Sequence, residues 1–164
     1  MDTGVHIRCL GQRLSPTRAT ARPVLLVLLL AAAAGCGGQE PLTKQQYTAR
    51  LSAACEDFAA RETKIGDPTT LPDLVEKGPQ ILGAFEETIL AEVRTLEAPN
   101  DLADHASRMV ELAERQRDVL AALIDAARAG DFTKVRTLAS KNTAINEAAG
   151  AIARDLGAQG CDRT

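Results

Sequence analysis

Apolar residues recur at helical spacing through most of this chain. Tyr47, Leu51, Ala54, Cys55 and Phe58, followed by Glu62 and Ile65, advance by threes and fours, and Thr43-Lys44-Gln45-Gln46 ahead of them has the form of a capping box. A first helix is expected over 44–64, broken by Gly66-Asp67-Pro68. Thr70 caps a second, with Pro72 in its first turn where a missing N–H does no harm. Leu74, Val75, Ile81, Leu82, Phe85, Ile89, Val93 and Leu96 form its inner face, and it ends before Pro99. Gly78-Pro79 interrupts it, and because the period resumes at once the spacing predicts a kink and not a stop.

The third helix has the most regular pattern. Leu102, Ala106, Met109, Ala113, Gln116, Leu120, Leu123 and Ala127 alternate steps of four and three, the seam of an antiparallel bundle or coiled coil. Gly130 suits the position just past its end and Asp131 caps the next helix, so the turn between is very short and the two must run antiparallel. The fourth helix is expected over 132–156, with Val135, Leu138, Ala139, Ile145, Ala149, Ile152 and Leu156 inward, and Gly157 ends it. No segment alternates with period two. The expected fold class is all-α, an antiparallel up-down four-helix bundle with its second helix kinked.

The first thirty-five residues follow another rule. Arg8, Arg13, Arg18 and Arg22 stand against a lone acid, Asp2, and residues 24–34 are unbroken apolar chain. That is a basic segment followed by an apolar run about half the roughly 20 residues a spanning helix needs, so it reads as an export signal. Cleavage after Ala32-Ala33-Ala34 would suit ordinary secretion. Ala33-Ala34-Gly35-Cys36 instead resembles a bacterial lipoprotein signal, in which the cysteine after the small residues is lipidated and becomes the first residue.

Cysteine parity separates the two. Cys9 leaves with the leader either way; ordinary secretion then exports Cys36, Cys55 and Cys161, an odd number in an oxidising compartment, whereas lipidation of Cys36 leaves one pair. The domain expectation follows: a cleaved leader over 1–35, lipidated Cys36 and a tether to residue 42, and a helical domain over 43–164. Fully extended, the tether reaches roughly 20 Å, which holds the domain near the lipid headgroups. Several acyl chains on one cysteine make a stable anchor where one would not.

From Cys36 onward fifteen Lys plus Arg face twenty-one Asp plus Glu. With an acidic surface whose aromatics are Tyr47, Phe58, Phe85 and Phe132, nucleic acid is not an expected partner, since it needs positive charge and stacking platforms. A core made of Leu, Ile, Val and Ala favours close helix packing.

Cys55 lies on the inner face of the first helix and Cys161 just past the fourth, and an up-down bundle brings those helices together. Their disulfide is the expected staple, and with no Cys-x-x-Cys a redox role is not expected. The mature chain also resembles a set of small lipoproteins of actinobacteria and their relatives. The resemblance rests on the lipidation signal, on Leu42-Thr43-Lys44-Gln45-Gln46-Tyr47 leading to Cys55, on Leu96-Glu97-Ala98-Pro99, and on the closing Leu156-Gly157-Ala158-Gln159-Gly160-Cys161. It implies a helical bundle and a Cys55–Cys161 bond, and implies no activity.

Candidate chemistry is sparse. His105 has Asp101, Glu111 and Glu114 on its own helix, but bundle metal sites take a Glu-x-x-His motif from each of two helices, and the chain has none. No nucleophile elbow or phosphate loop occurs, so neither an enzyme nor a cofactor is expected. Gln116 and Asn142 hold seam positions where apolar residues belong, and either set helix register or line a cleft. Glu86, Glu87, Glu92 and Glu97 on the second helix, and Arg108, Arg115 and Arg117 on the third, read as solvated faces. The expected function is that of a membrane-anchored, non-catalytic interaction domain acting on an envelope protein or a small ligand. The alternative is a small-ligand sensor or carrier with a groove near Gly78-Pro79.

Overall fold

The computed structural model describes residues 42–161, all helices and short connections; the expected leader and Cys36 lie outside the described residues. Helix α1 spans Lys44–Ile65, α2 spans Leu71–Phe85 and continues through a π turn at Glu86–Leu90 into α3, Ala91–Thr95. A 3₁₀ turn at Asn100–Leu102 leads into α4, Ala103–Arg128, and α5 spans Phe132–Leu156. With 71–95 counted as one rod, four helices pack on one another. Among the described residues no helix is long and apolar enough to cross a membrane.

The helix starts are fixed by the residues expected to fix them. Gln46 N–H donates to the Thr43 hydroxyl at 3.2 Å, and Thr43 N–H donates to Gln46 Oε1 at 2.9 Å. Thr70 and Asp73 repeat this reciprocal pair for α2, and Asp131 accepts from Lys134 N–H at 2.9 Å for α5, so otherwise unpaired donors of each first turn are satisfied. At the far end of α4, Gly130 at φ 68° lets Asp131 N–H reach back to the Ala126 carbonyl at 3.0 Å.

The rod from Leu71 to Thr95 departs from the expected pattern in an informative way. Pro79 sits inside α2, where its missing N–H leaves the Val75 carbonyl without its usual donor. The helical hydrogen bonding changes further on, where Ala91 N–H donates to the Glu86 carbonyl, five residues back. Residues five apart fall about 140° from each other on an α-helix but nearly in line across such a turn. Phe85 and Leu90 therefore both face the core. Glu87 and Glu92 likewise both face α1, where Arg61 and Arg50 lie three turns apart on one face and meet them at 2.7 Å each. Thr88, the one polar residue buried among the described residues, gives its hydroxyl to the Ala84 carbonyl at 2.7 Å.

Helix α4 packs on α5 along one side and on α2 along another, with α3 and the π turn at its start. Its buried surface is accordingly wider than a two-helix seam: Leu112, Val119, Ile124 and Ala126 are buried beside Leu102, Met109, Ala113 and Ala127. Gly78 marks a tight approach of α4 to α2, since a Cβ there would stand 2.7 Å from Ile124 Cγ1. The main core joins Tyr47, Leu51 and Phe58 to Phe85, Leu90, Val93 and Met109, and the first half of α5 contributes no fully buried residue.

Candidate functional site

Helices α1 and α5 touch each other little directly. Helix α1 lies on α2, the π turn and α3, while α5 lies on α4. What closes the seam is the chain beyond α5. Gly157 adopts the left-handed conformation at φ 75°, and Ala158 N–H donates to the Ala153 carbonyl at 2.8 Å, so the backbone turns back across the helix end. Ala158 is then buried, and Gly160 rests on α1, where a Cβ would meet Glu56 Cγ at 3.3 Å. Cys161 is bonded to Cys55 with Cα atoms 5.2 Å apart, and the Thr48 hydroxyl donates to the Leu156 carbonyl at 3.2 Å beside it. Residues 157–161 thus form a strap from α5 to α1.

Under the strap is a partly enclosed chamber of about 90 Å³ to which all four helices contribute. Its apolar wall is Leu51, Phe58, Phe85, Ile89 and Met109, with the Phe58 and Phe85 rings edge to face at 5.7 Å between centroids. The Cys55–Cys161 bond forms part of the lining. Three polar side chains complete it: Glu62 from α1, Gln116 from α4 and Asn146 from α5. An engineered cavity of about 150 Å³ with a purely apolar lining takes up benzene, so this smaller space admits a group of a few carbon atoms.

Glu62 gives the chamber its chemical character. Partial burial, and after it the charge of Asp67, push its carboxyl above the ordinary glutamate value. The adjacent Arg61 is engaged elsewhere, with Asp57 and Glu87. Among the described residues no hydrogen bond or ion pair reaches the Glu62 carboxylate.

The residues singled out in the sequence divide three ways. Cys55 and Cys161 are brought together, and Gln116 lies on the chamber. His105 is partly exposed in the first turn of α4, and among the described residues no three His, Cys, Asp or Glu side chains gather as metal ligands. Asn142 lies away from the chamber with its buried Oδ1 unpartnered among the described residues. Beside Gly78-Pro79, where a groove was expected, lies an open hollow lined by Pro79, Leu82, Gly83 and Ile124, while Ile124 fills the space directly against Gly78. Of the charges read as solvated faces, Glu87 and Glu92 pair with α1, and Arg115 and Arg117 meet acids of their own helix. Glu62 and Asn146 were missed as site residues. Glu62 had a signal, a carboxylate on the apolar face of the first helix, whereas Asn146 follows Ile145 with nothing to mark it. Comparison with known proteins finds no matching family model, no matching curated protein and no matching solved structure.

Proposed function

We propose that this chain is an exported lipoprotein of the cell envelope, anchored through acyl chains on Cys36, whose helical domain works by binding and not by catalysis. The observation that carries the anchor is the Cys55–Cys161 bond. It uses both cysteines of the helical domain and leaves Cys36, directly after Ala33-Ala34-Gly35, as the one beyond the leader for another purpose. The mass of the protein extracted from membranes tests this: it should correspond to a chain beginning at lipidated Cys36. Cys36→Ser should leave the membrane fraction, and unchanged partitioning would overturn the proposal.

The arrangement of the helices belongs to the same reading. The turn at 129–131 is too short for α5 to do anything but reverse the direction of α4, which supports an antiparallel up-down order. The kink expected at Gly78-Pro79 belongs to it as well, and the place of Pro79 inside α2 supports it.

Such a domain binds either another envelope component through its surface or a small molecule inside. The second reading, a ligand sensor or carrier, is favoured by one observation, the chamber under the 157–161 strap. Thermal shift against pools of small metabolites tests it, and a flat response across all pools would remove it.

A further inference from the structure

We propose that the chamber under the strap binds a small organic ammonium ion, its short alkyl group among Phe58, Phe85, Ile89 and Met109 and its nitrogen against Glu62. This deepens the ligand-binding reading given above and rests on it. The size of the space sets the alkyl part: about 90 Å³ accepts a short branched chain and excludes fused rings or long acyl tails.

The head group follows from what surrounds Glu62. A carboxylate drawn partly out of water loses hydration that an apolar wall does not replace. Most partly buried acids recover it from an arginine, a lysine or backbone amides, but here none of these pairs with it among the described residues, and the charge that bears on it, Asp67, has the same sign. An ammonium ion reverses both effects at once: it neutralises the carboxylate where water is scarce and donates hydrogen bonds to it. Gln116 and Asn146 stand on the same chamber, and their side-chain oxygens can accept the remaining N–H groups. A neutral alcohol would fill the same apolar space without offsetting the charge, and a carboxylate would add a third negative group beside Glu62 and Asp67.

The chain carries its own reporter. Its methionines are Met1, in the leader, and Met109, on the chamber wall, so methyl-labelled methionine in the mature full-length protein gives a resonance from the site. The protein in nanodiscs is titrated with isopentylammonium, isopentanol and isovalerate, shapes that differ mainly in the head. The Met109 signal should move saturably with the amine, which should bind about tenfold or more tightly than the alcohol, the lower end of what a charged hydrogen bond contributes. Glu62→Gln should bring the amine down to the alcohol without loss of fold. Equal binding of amine and alcohol, preference for isovalerate, or a preference for amine that survives Glu62→Gln would overturn the ammonium assignment while leaving the chamber a ligand site. Failure of all three probes to move Met109 would overturn both readings.

Discussion

Reduction of the Cys55–Cys161 bond should cost this domain more stability than any single side-chain change. The two cysteines are separated by 106 positions, so the bond closes nearly the whole helical domain into one loop. In the chain-entropy account a loop of that length restricts the unfolded ensemble by about 16 cal/mol/K, or about 4.8 kcal/mol at 25 °C. Unfolding entropy near 2.1 cal/mol/K per residue over roughly 120 residues gives about 0.25 kcal/mol per degree, so the melting temperature should fall by about 20 °C. The assay is far-UV circular dichroism on oxidised protein, on protein under reductant, and on the Cys55→Ala/Cys161→Ala variant. Reduced protein and double variant should melt close together, since both release the same loop. A fall of less than about 5 °C would refute the reasoning, because the strap would then be held by the packing of Ala158 and Gly160 and the bond would add little to it.

Three further outcomes follow from local geometry. Gly78→Ala meets Ile124, itself buried, at 2.7 Å, and overpacking of about 1–3 kcal/mol should outweigh the ~1 kcal/mol gained in helix propensity; Gly83→Ala, with open space around it, should instead stabilise by about 0.5–1 kcal/mol, and urea denaturation showing the two variants alike would count against this packing. Thr88→Val keeps the shape of a buried residue but withdraws the hydroxyl from the Ala84 carbonyl, which should cost about 1–3 kcal/mol in the same assay, with Thr88→Ser losing less. The Glu62 carboxyl is held above its unfolded value, so its contribution is complete below about pH 4 and is lost as pH rises through the folded value. Glu62→Gln does not titrate, so its stability relative to the parent should rise between pH 4 and pH 7, and a difference that is flat across that range would argue against a partly desolvated carboxylate.

The helices were legible because their evidence is local. Thr43, Thr70, Asp131 and Gly157 act within one turn of themselves, and each does in the structure what its type and position suggested. The π turn was not legible, because a five-residue step from Phe85 to Leu90 looks in sequence like one apolar residue too many, and Ile89 offers a regular alternative. The close contact at Gly78 was not legible for a related reason. A glycine before a proline suggests interruption, yet its lack of a side chain serves to admit Ile124 from α4, a neighbour that no local pattern reveals. The chamber depends on four helices and a five-residue strap meeting, so only its parts could be seen beforehand: a cysteine pair, a carboxylate on an apolar face, and Gln116 out of place in a seam.

The strap also alters what happens to this protein when it is damaged. A protease that cuts anywhere between Cys55 and Cys161 makes two fragments that are still covalently one molecule. Neither piece can diffuse away, and the cut ends stay close enough for the helices to find each other again. In the envelope location proposed above, where hydrolases are present, a nick at an exposed connection such as the 129–131 turn would leave the domain covalently whole. Separation of the two fragments requires two events, cleavage and reduction.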